Sequence, residues 1–236
     1  MSRLVYIHGM GEQPPKAVLK HDWDNALFTH PTGISSMAYY ADLRKGAELS
    51  DREQFLLDLG PLMDEITRGF TKLFLEDVYQ YLYEKEDSVR IRARLRAELE
   101  KNKPSVLVAH SLGTIIAYEV LLAWDYDLPL FVTIGSPLPL ESVKAHLKRK
   151  HGSLKVPGCI RSWHNFSDRL DRVALDATIG DDFDDLRIVD HHVKNTNRRE
   201  NFPYGPHSGT GYLETKQVRD VINYHLSTGR RTHASV

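Results

Sequence analysis

Residues Ser105 to Gly113 read S-V-L-V-A-H-S-L-G. Val106, Leu107, Val108 and Ala109 form a short apolar run, the pattern of a parallel strand buried on both faces. After His110, Ser111, Leu112 and Gly113 come Ile115, Ile116, Ala117, Val120, Leu121 and Leu122, an apolar helical face. No residues remain between the two for a loop. A serine on so sharp a strand-to-helix turn is pushed out at the sheet edge. The small residues two before it (Ala109) and two after it (Gly113) let the backbone turn that tightly. Alone, the pentapeptide fits equally a serine that caps a helix. The rest of the chain must decide.

The chain has 236 residues, the size of one α/β domain with a sizeable core. Its 31 Lys and Arg balance 32 Asp and Glu, which argues against nucleic acid or an anionic membrane as the main partner. Cys159 is the only cysteine, so there is neither an internal disulfide nor a thiolate metal cluster. The chain enters a strand-like run at once, without a basic stretch and a long apolar one, and no run reaches membrane-span length. The expectation is a soluble cytoplasmic protein without a signal peptide or transmembrane segment.

Leu4–Ile7 reads as the first strand and leads into His8-Gly9-Met10-Gly11. Glycines flanking Met10 permit a backbone with outward N–H groups, one half of an oxyanion hole, or else an ordinary strand-to-loop turn. Residues 16–33 suggest a short helix around Trp23, and Ile34–Tyr40 a second strand. Residues 51–84 carry a wide apolar stripe, among it Leu59, Leu62, Ile66, Phe70 and Leu73. That stripe is either a helix pair packed on the sheet or a lid over the serine.

Val89–Lys103 reads as an amphipathic helix ended by Pro104, Leu130–Ile134 as a buried strand, and Leu140–Lys150 as a helix. Its basic end, Lys148 to His151, suits the helix dipole. Cys159–His164 reads as a strand that delivers Asp168 and Asp171. Gly180–Asp185 is acidic but lacks calcium-loop spacing and reads as a solvated turn. Leu186–Val193 is the last strand, Asn201–Gly211 a Pro/Gly-rich loop containing His207, and Tyr212–Leu226 the final helix.

Strands alternating with helices predict an α/β fold, a mostly parallel sheet of about six strands with helices on both faces. Such sheets bind ligands at the carboxyl ends of their strands. His8-Gly9, Ser111, Asp171 and the His207 loop all follow strand ends.

On H-G-M-G at 8–11, A-H-S-L-G at 109–113, D-R-V-A at 171–174 and P-H-S-G-T-G-Y-L at 206–213, the chain resembles the α/β-hydrolase family, in a compact bacterial form lacking the first antiparallel strands. Ala109 stands where the family usually has glycine. The resemblance covers nearly the whole chain and implies one α/β-hydrolase domain over 1–236, with 51–84 as a helical insertion. It also implies the chain order nucleophile, acid, histidine. After the acid come His191, His192, His207, His225 and His233. His207 alone lies in a loop between the last strand and the last helix, and it is the expected base. Asp171 is the expected acid, with Asp168 the runner-up.

The implied chemistry is a serine esterase or lipase-like acyl transfer. Ser111 attacks, His207 takes its proton, Asp171 stabilises the imidazolium, and the N–H groups of Leu112 and Met10 hold the oxyanion. It needs no metal and no organic cofactor, and its substrate is a small-molecule or lipid-like acyl compound. A thioesterase, phospholipase or amidase would use the same residues, and a non-catalytic binding module on the same fold stays open.

Overall fold

A strand rich in apolar residues needs cover on both faces, and this chain arranges six strands in one layer, the apolar ones at its centre. The computed structural model describes residues 3–9, 11, 13–43, 78, 80–83, 85–174, 177–199 and 205–228. Its strands are β1 (Leu4–Ile7), β2 (Ser35–Ala38), β3 (Val106–His110), β4 (Leu130–Ile134), β5 (Trp163–Ser167) and β6 (Ile188–His192). Its helices are α1 (Lys16–Phe28), α2 (Lys85–Asn102), α3 (Leu112–Leu121), α4 (Glu141–His151), α5 (Gly180–Phe183), α6 (Gly209–Leu213) and α7 (Lys216–Thr228).

The sheet order is β2-β1-β3-β4-β5-β6, and every pairing is parallel. The chain starts in the interior of the sheet at β1, steps to one edge at β2, returns beside β1 as β3, and then marches to the other edge. β1 and β3 are therefore neighbours whose connections leave in opposite directions. The carboxyl ends of two such strands are the usual ligand position in a sheet of this kind. His8 follows β1 there and Ser111 follows β3.

Alternation along the strands splits the core in two. Val5, Ile7, Leu107, Phe131 and Trp163 face one cluster, filled by Leu95 of α2, Ile115 and Ile116 of α3, and Val143 and Leu147 of α4. Leu4, Tyr6, Val106, Val108 and Val132 face the other, filled by Leu19 and Trp23 of α1, Leu213 of α6 and Ile222 of α7. Each such side chain, fully buried, contributes about 1.5–3 kcal/mol. The all-parallel sheet of six strands with helices on both faces matches the expected α/β architecture. No helix among the described residues is long and apolar enough to cross a membrane.

Several boundaries differ from expectation for identifiable reasons. The fifth strand is Trp163–Ser167, not Cys159–His164. Ile160 makes only an isolated bridge with Leu128. Asn165 and Ser167 are buried as strand residues because Thr133, Asp190 and the Ala177 carbonyl satisfy them laterally. The final helix is broken in two, because the Thr215 hydroxyl turns back to the Tyr212 carbonyl (2.7 Å). The acidic turn is the short helix α5. The basic end of α4 does more than suit a dipole: Lys150 and His151 both reach the buried Glu119 of α3. Of the expected lid over 51–84, all but 78 and 80–83 lie outside the described residues. Val78, Tyr81 and Leu82 pack into the core cluster beneath α2, α3 and α4.

Candidate active site

β3 ends at His110 and α3 begins at Leu112, so Ser111 alone makes the turn, at φ 56° and ψ −131°. A serine there costs about 1–3 kcal/mol and persists only where its surroundings impose it. Three hydrogen bonds do so. The Ser111 N–H donates to the Ile134 carbonyl (3.1 Å), and the N–H and hydroxyl of Thr114 donate to the Ser111 carbonyl (2.9 and 2.7 Å). The Ser111 side chain makes no capping bond to α3, so the helix-cap reading fails.

Two glycines let β1 and α3 approach this closely. A Cβ on Gly113 would lie 2.5 Å from the His8 carbonyl oxygen, and one on Gly9 would lie 2.6 Å from Ser111 Cβ. The His-Gly loop after β1 and the serine turn after β3 thus interlock.

His207 and Asp171 complete a chain of hydrogen bonds. His207 Nδ1 lies 2.8 and 3.0 Å from the two Asp171 oxygens, and its Nε2 lies 2.8 Å from Ser111 Oγ. Nδ1–H donates to the carboxylate, which leaves Nε2 to accept the serine proton. All three residues are buried, with His207 7% exposed. Burial alone would push the Asp171 carboxyl up. The adjacent imidazole and hydrogen bonds from His207, the Tyr212 hydroxyl (2.7 Å) and the Val173 N–H (2.9 Å) more than offset that and hold it below the usual range. Gly135, at φ 56°, lies against this pair; a Cβ there would come within 2.9 Å of Asp171 Oδ2.

Asp168 has another role. Its carboxylate accepts from the Asn195 N–H (2.7 Å) and the Leu170 N–H (2.8 Å), tying the loop after β6 to the loop after β5. Among the other histidines, His191 bonds His164 (2.8 Å), His192 reaches Ser167 (3.4 Å), and His225 bonds the Val221 carbonyl within α7. His233 lies outside the described residues.

His207 was expected in a flexible loop. It sits instead at the end of a 3-10 turn, Gly205–His207, clamped by a residue that sequence reading overlooked. The Asn195 side-chain amide donates to the carbonyls on both sides of the histidine, Pro206 (3.1 Å) and Ser208 (2.9 Å). Gly211 makes room for that amide, since a Cβ would fall 1.8 Å from Asn195 Oδ1. Tyr212 was overlooked too. Its hydroxyl donates to Asp171 and accepts from the Asp168 N–H (2.9 Å).

The walls of the site are aromatic and imidazole rings. His110 lies 4.7 Å from His207, ring to ring, and donates Nε2–H to the His207 carbonyl (2.8 Å). Burial, then the neighbouring His207, pushes the His110 imidazole down to about 3, so it stays neutral in that contact. His8 stacks on Tyr40 at 4.1 Å and accepts the Tyr40 N–H at Nε2 (3.0 Å), while the Tyr40 hydroxyl donates to the Gly9 carbonyl (2.7 Å). Tyr40, just beyond β2, therefore fixes the start of the His-Gly loop. Leu112 is the first residue of α3, where a backbone N–H has no acceptor within the helix. Met10 lies outside the described residues. No three His, Cys, Asp or Glu among the described residues are placed to hold a metal ion.

No protein-family model matches the chain, and no curated protein matches it at a significant level.

Proposed function

We propose that this chain is a serine hydrolase of the α/β-hydrolase type, cleaving a carboxylic ester through an acyl-enzyme intermediate. One observation carries the reading: an unbroken hydrogen-bonded line from Asp171 through His207 to a serine in a strained strand-to-helix turn. A serine hydroxyl is a weak nucleophile until a base shares its proton, and that base needs an anion to hold its tautomer. In the reaction, Ser111 Oγ attacks the acyl carbon and His207 Nε2 takes its proton. The charge on the imidazolium faces Asp171, whose proton affinity is already lowered. The oxyanion forms at the amino end of α3, where the Leu112 N–H is one donor and the Met10 N–H the proposed second. Each such donor is worth about 3 kcal/mol. His207 returns the proton to the leaving alcohol, then draws one from water to release the acid. Nothing in this sequence of steps calls for a metal or an organic cofactor.

A strained serine, held at a cost in stability and not used as a cap, is what favours chemistry over a passive binding fold. The test is a panel of p-nitrophenyl esters of increasing chain length. Wild-type turnover that disappears in Ser111→Ala supports the reading. No turnover on any ester, or equal turnover by Ser111→Ala, rejects it.

A further inference from the structure

A concavity is lined by residues 82 and 83, α2 and α4. Glu119 is eight residues along α3 from Ser111, about 12 Å down the helix axis, so this place is separate from the catalytic line. Its volume is about 540 Å³, within the range of small-molecule sites. Leu82, Tyr83 and Val89 form an apolar wall, with Tyr83 and Val89 largely exposed. Ser88 and Arg92 of α2, the latter one turn beyond Val89, and His146, Arg149 and Lys150 of α4 supply its polar lining.

The cations are held in place. Buried Glu119 accepts from the Tyr81 hydroxyl (2.6 Å), Arg92 (3.2 Å), Lys150 (2.6 Å) and His151 (2.9 Å). One carboxylate thus anchors Arg92 and Lys150 together, and a surplus of positive charge remains. Arg149 has no carboxylate partner among the described residues; its contact there is the Tyr83 hydroxyl at 3.4 Å. His146, whose ring meets the edge of Tyr83 at 5.0 Å, has both ring nitrogens buried with no hydrogen-bond partner among the described residues. Burial, then Lys150, pushes its imidazole down, so at neutral pH it offers one N–H and one lone pair. Buried polar groups in folded proteins are normally satisfied; both His146 nitrogens are occluded, so the orphaned N–H gains an acceptor from the groove when the imidazole turns toward it.

We propose that this groove binds a small amphiphilic anion, a carboxylate or phosphate monoester whose charged head meets Arg149, Lys150 and His146 while its apolar tail lies along Leu82, Tyr83 and Val89. The proposal stands independently of the hydrolase reading.

The experiment follows the imidazole resonances of the full chain, with His146 assigned by His146→Gln, as octanoate, octyl phosphate, octan-1-ol and inorganic phosphate are titrated. Expected is saturable movement of the His146 signals with octanoate and octyl phosphate. Octanol and inorganic phosphate should each bind at least about tenfold more weakly, the effect of losing one good contact. Arg149→Glu, an exposed position, should weaken octanoate by at least about tenfold as well. Octanol binding as tightly as octanoate overturns the proposal, because the groove is then merely apolar. Inorganic phosphate binding as tightly as octyl phosphate overturns it too, because the tail then contributes nothing. So does silence of His146 towards all four probes. The octanoate-to-octanol comparison on wild type decides the matter even if Arg149→Glu fails to fold.

Discussion

Replacing Gly113 by alanine separates activity from stability in a way that only an interlocked turn explains. The new Cβ would stand 2.5 Å from the His8 carbonyl oxygen and 3.0 Å from that of Ile7. Both are backbone atoms, so no side chain can rotate away. Ordinary contact begins at 3.4 Å, and the amino end of α3 must therefore retreat from β1 by about 0.9 Å. Ser111 moves with it, and the 2.8 Å bond to His207 Nε2 is lengthened or lost. Misplacement by about 1 Å costs on the order of 100-fold in rate. The stability cost is small by comparison. Overpacking costs about 1–3 kcal/mol, and alanine's better helix propensity returns about 1 kcal/mol at this helical position. The unfolding midpoint should drop by only about 2–4 °C per net kcal/mol. The assay is kcat on a short p-nitrophenyl ester beside a thermal melt, with Gly33→Ala, where a Cβ meets nothing within 4 Å, as control. Activity in Gly113→Ala within about threefold of wild type, against that 100-fold, would refute the interlock.

Asp171→Asn should lower kcat by about 10⁴, whereas Asp168→Ala should change kcat little and cost about 1–3 kcal/mol of stability by orphaning the Asn195 and Leu170 N–H groups; the reverse pattern, read from kinetics and urea titration, would assign the acid to Asp168. Tyr212→Phe removes a donor to the Asp171 carboxylate and leaves the Asp168 N–H unpaired, so kcat should fall about tenfold and stability by about 1–3 kcal/mol; a variant unchanged in both would mean that the phenol positions nothing. Burial, then His191 and His225, depress the His164 imidazole to about 4, as burial depresses that of His110 to about 3. The unfolded chain takes up these protons near 6.5 and the folded chain refuses them, so stability is complete above 6.5 and declines as pH falls toward 4. The melting temperature should be lower at pH 5 than at pH 7, with a flatter dependence in His164→Leu; no dependence in wild type would contradict these burials.

Much of the fold was legible because β1 is apolar throughout and β3 and β4 are apolar but for His110 and Thr133, and because the turn at Ser111 leaves no residues for a loop. β5 was misplaced because its sequence, W-H-N-F-S, hides a buried strand behind polar letters. Asn165 and Ser167 are tolerated there only because partners distant in sequence satisfy them, and hydropathy cannot register such partners. The serine, acid and histidine could be chosen by order along the chain. The residues that hold them could not: Tyr40 contacts the His-Gly loop from 31 positions away, and Asn195 clamps His207 from a different loop. One local signal was available for the second of these. Gly211 follows His207 in a glycine-rich run, and it marks a place where another chain segment comes close.

The most direct measurement is mass-spectrometric mapping of a fluorophosphonate adduct on the folded protein. A nucleophile primed by the imidazole at 207 should take one phosphonyl group, on Ser111, and labelling should vanish in His207→Ala and after denaturation. A folded, unlabelled Ser111, or an adduct on another residue, would contradict the hydrolase.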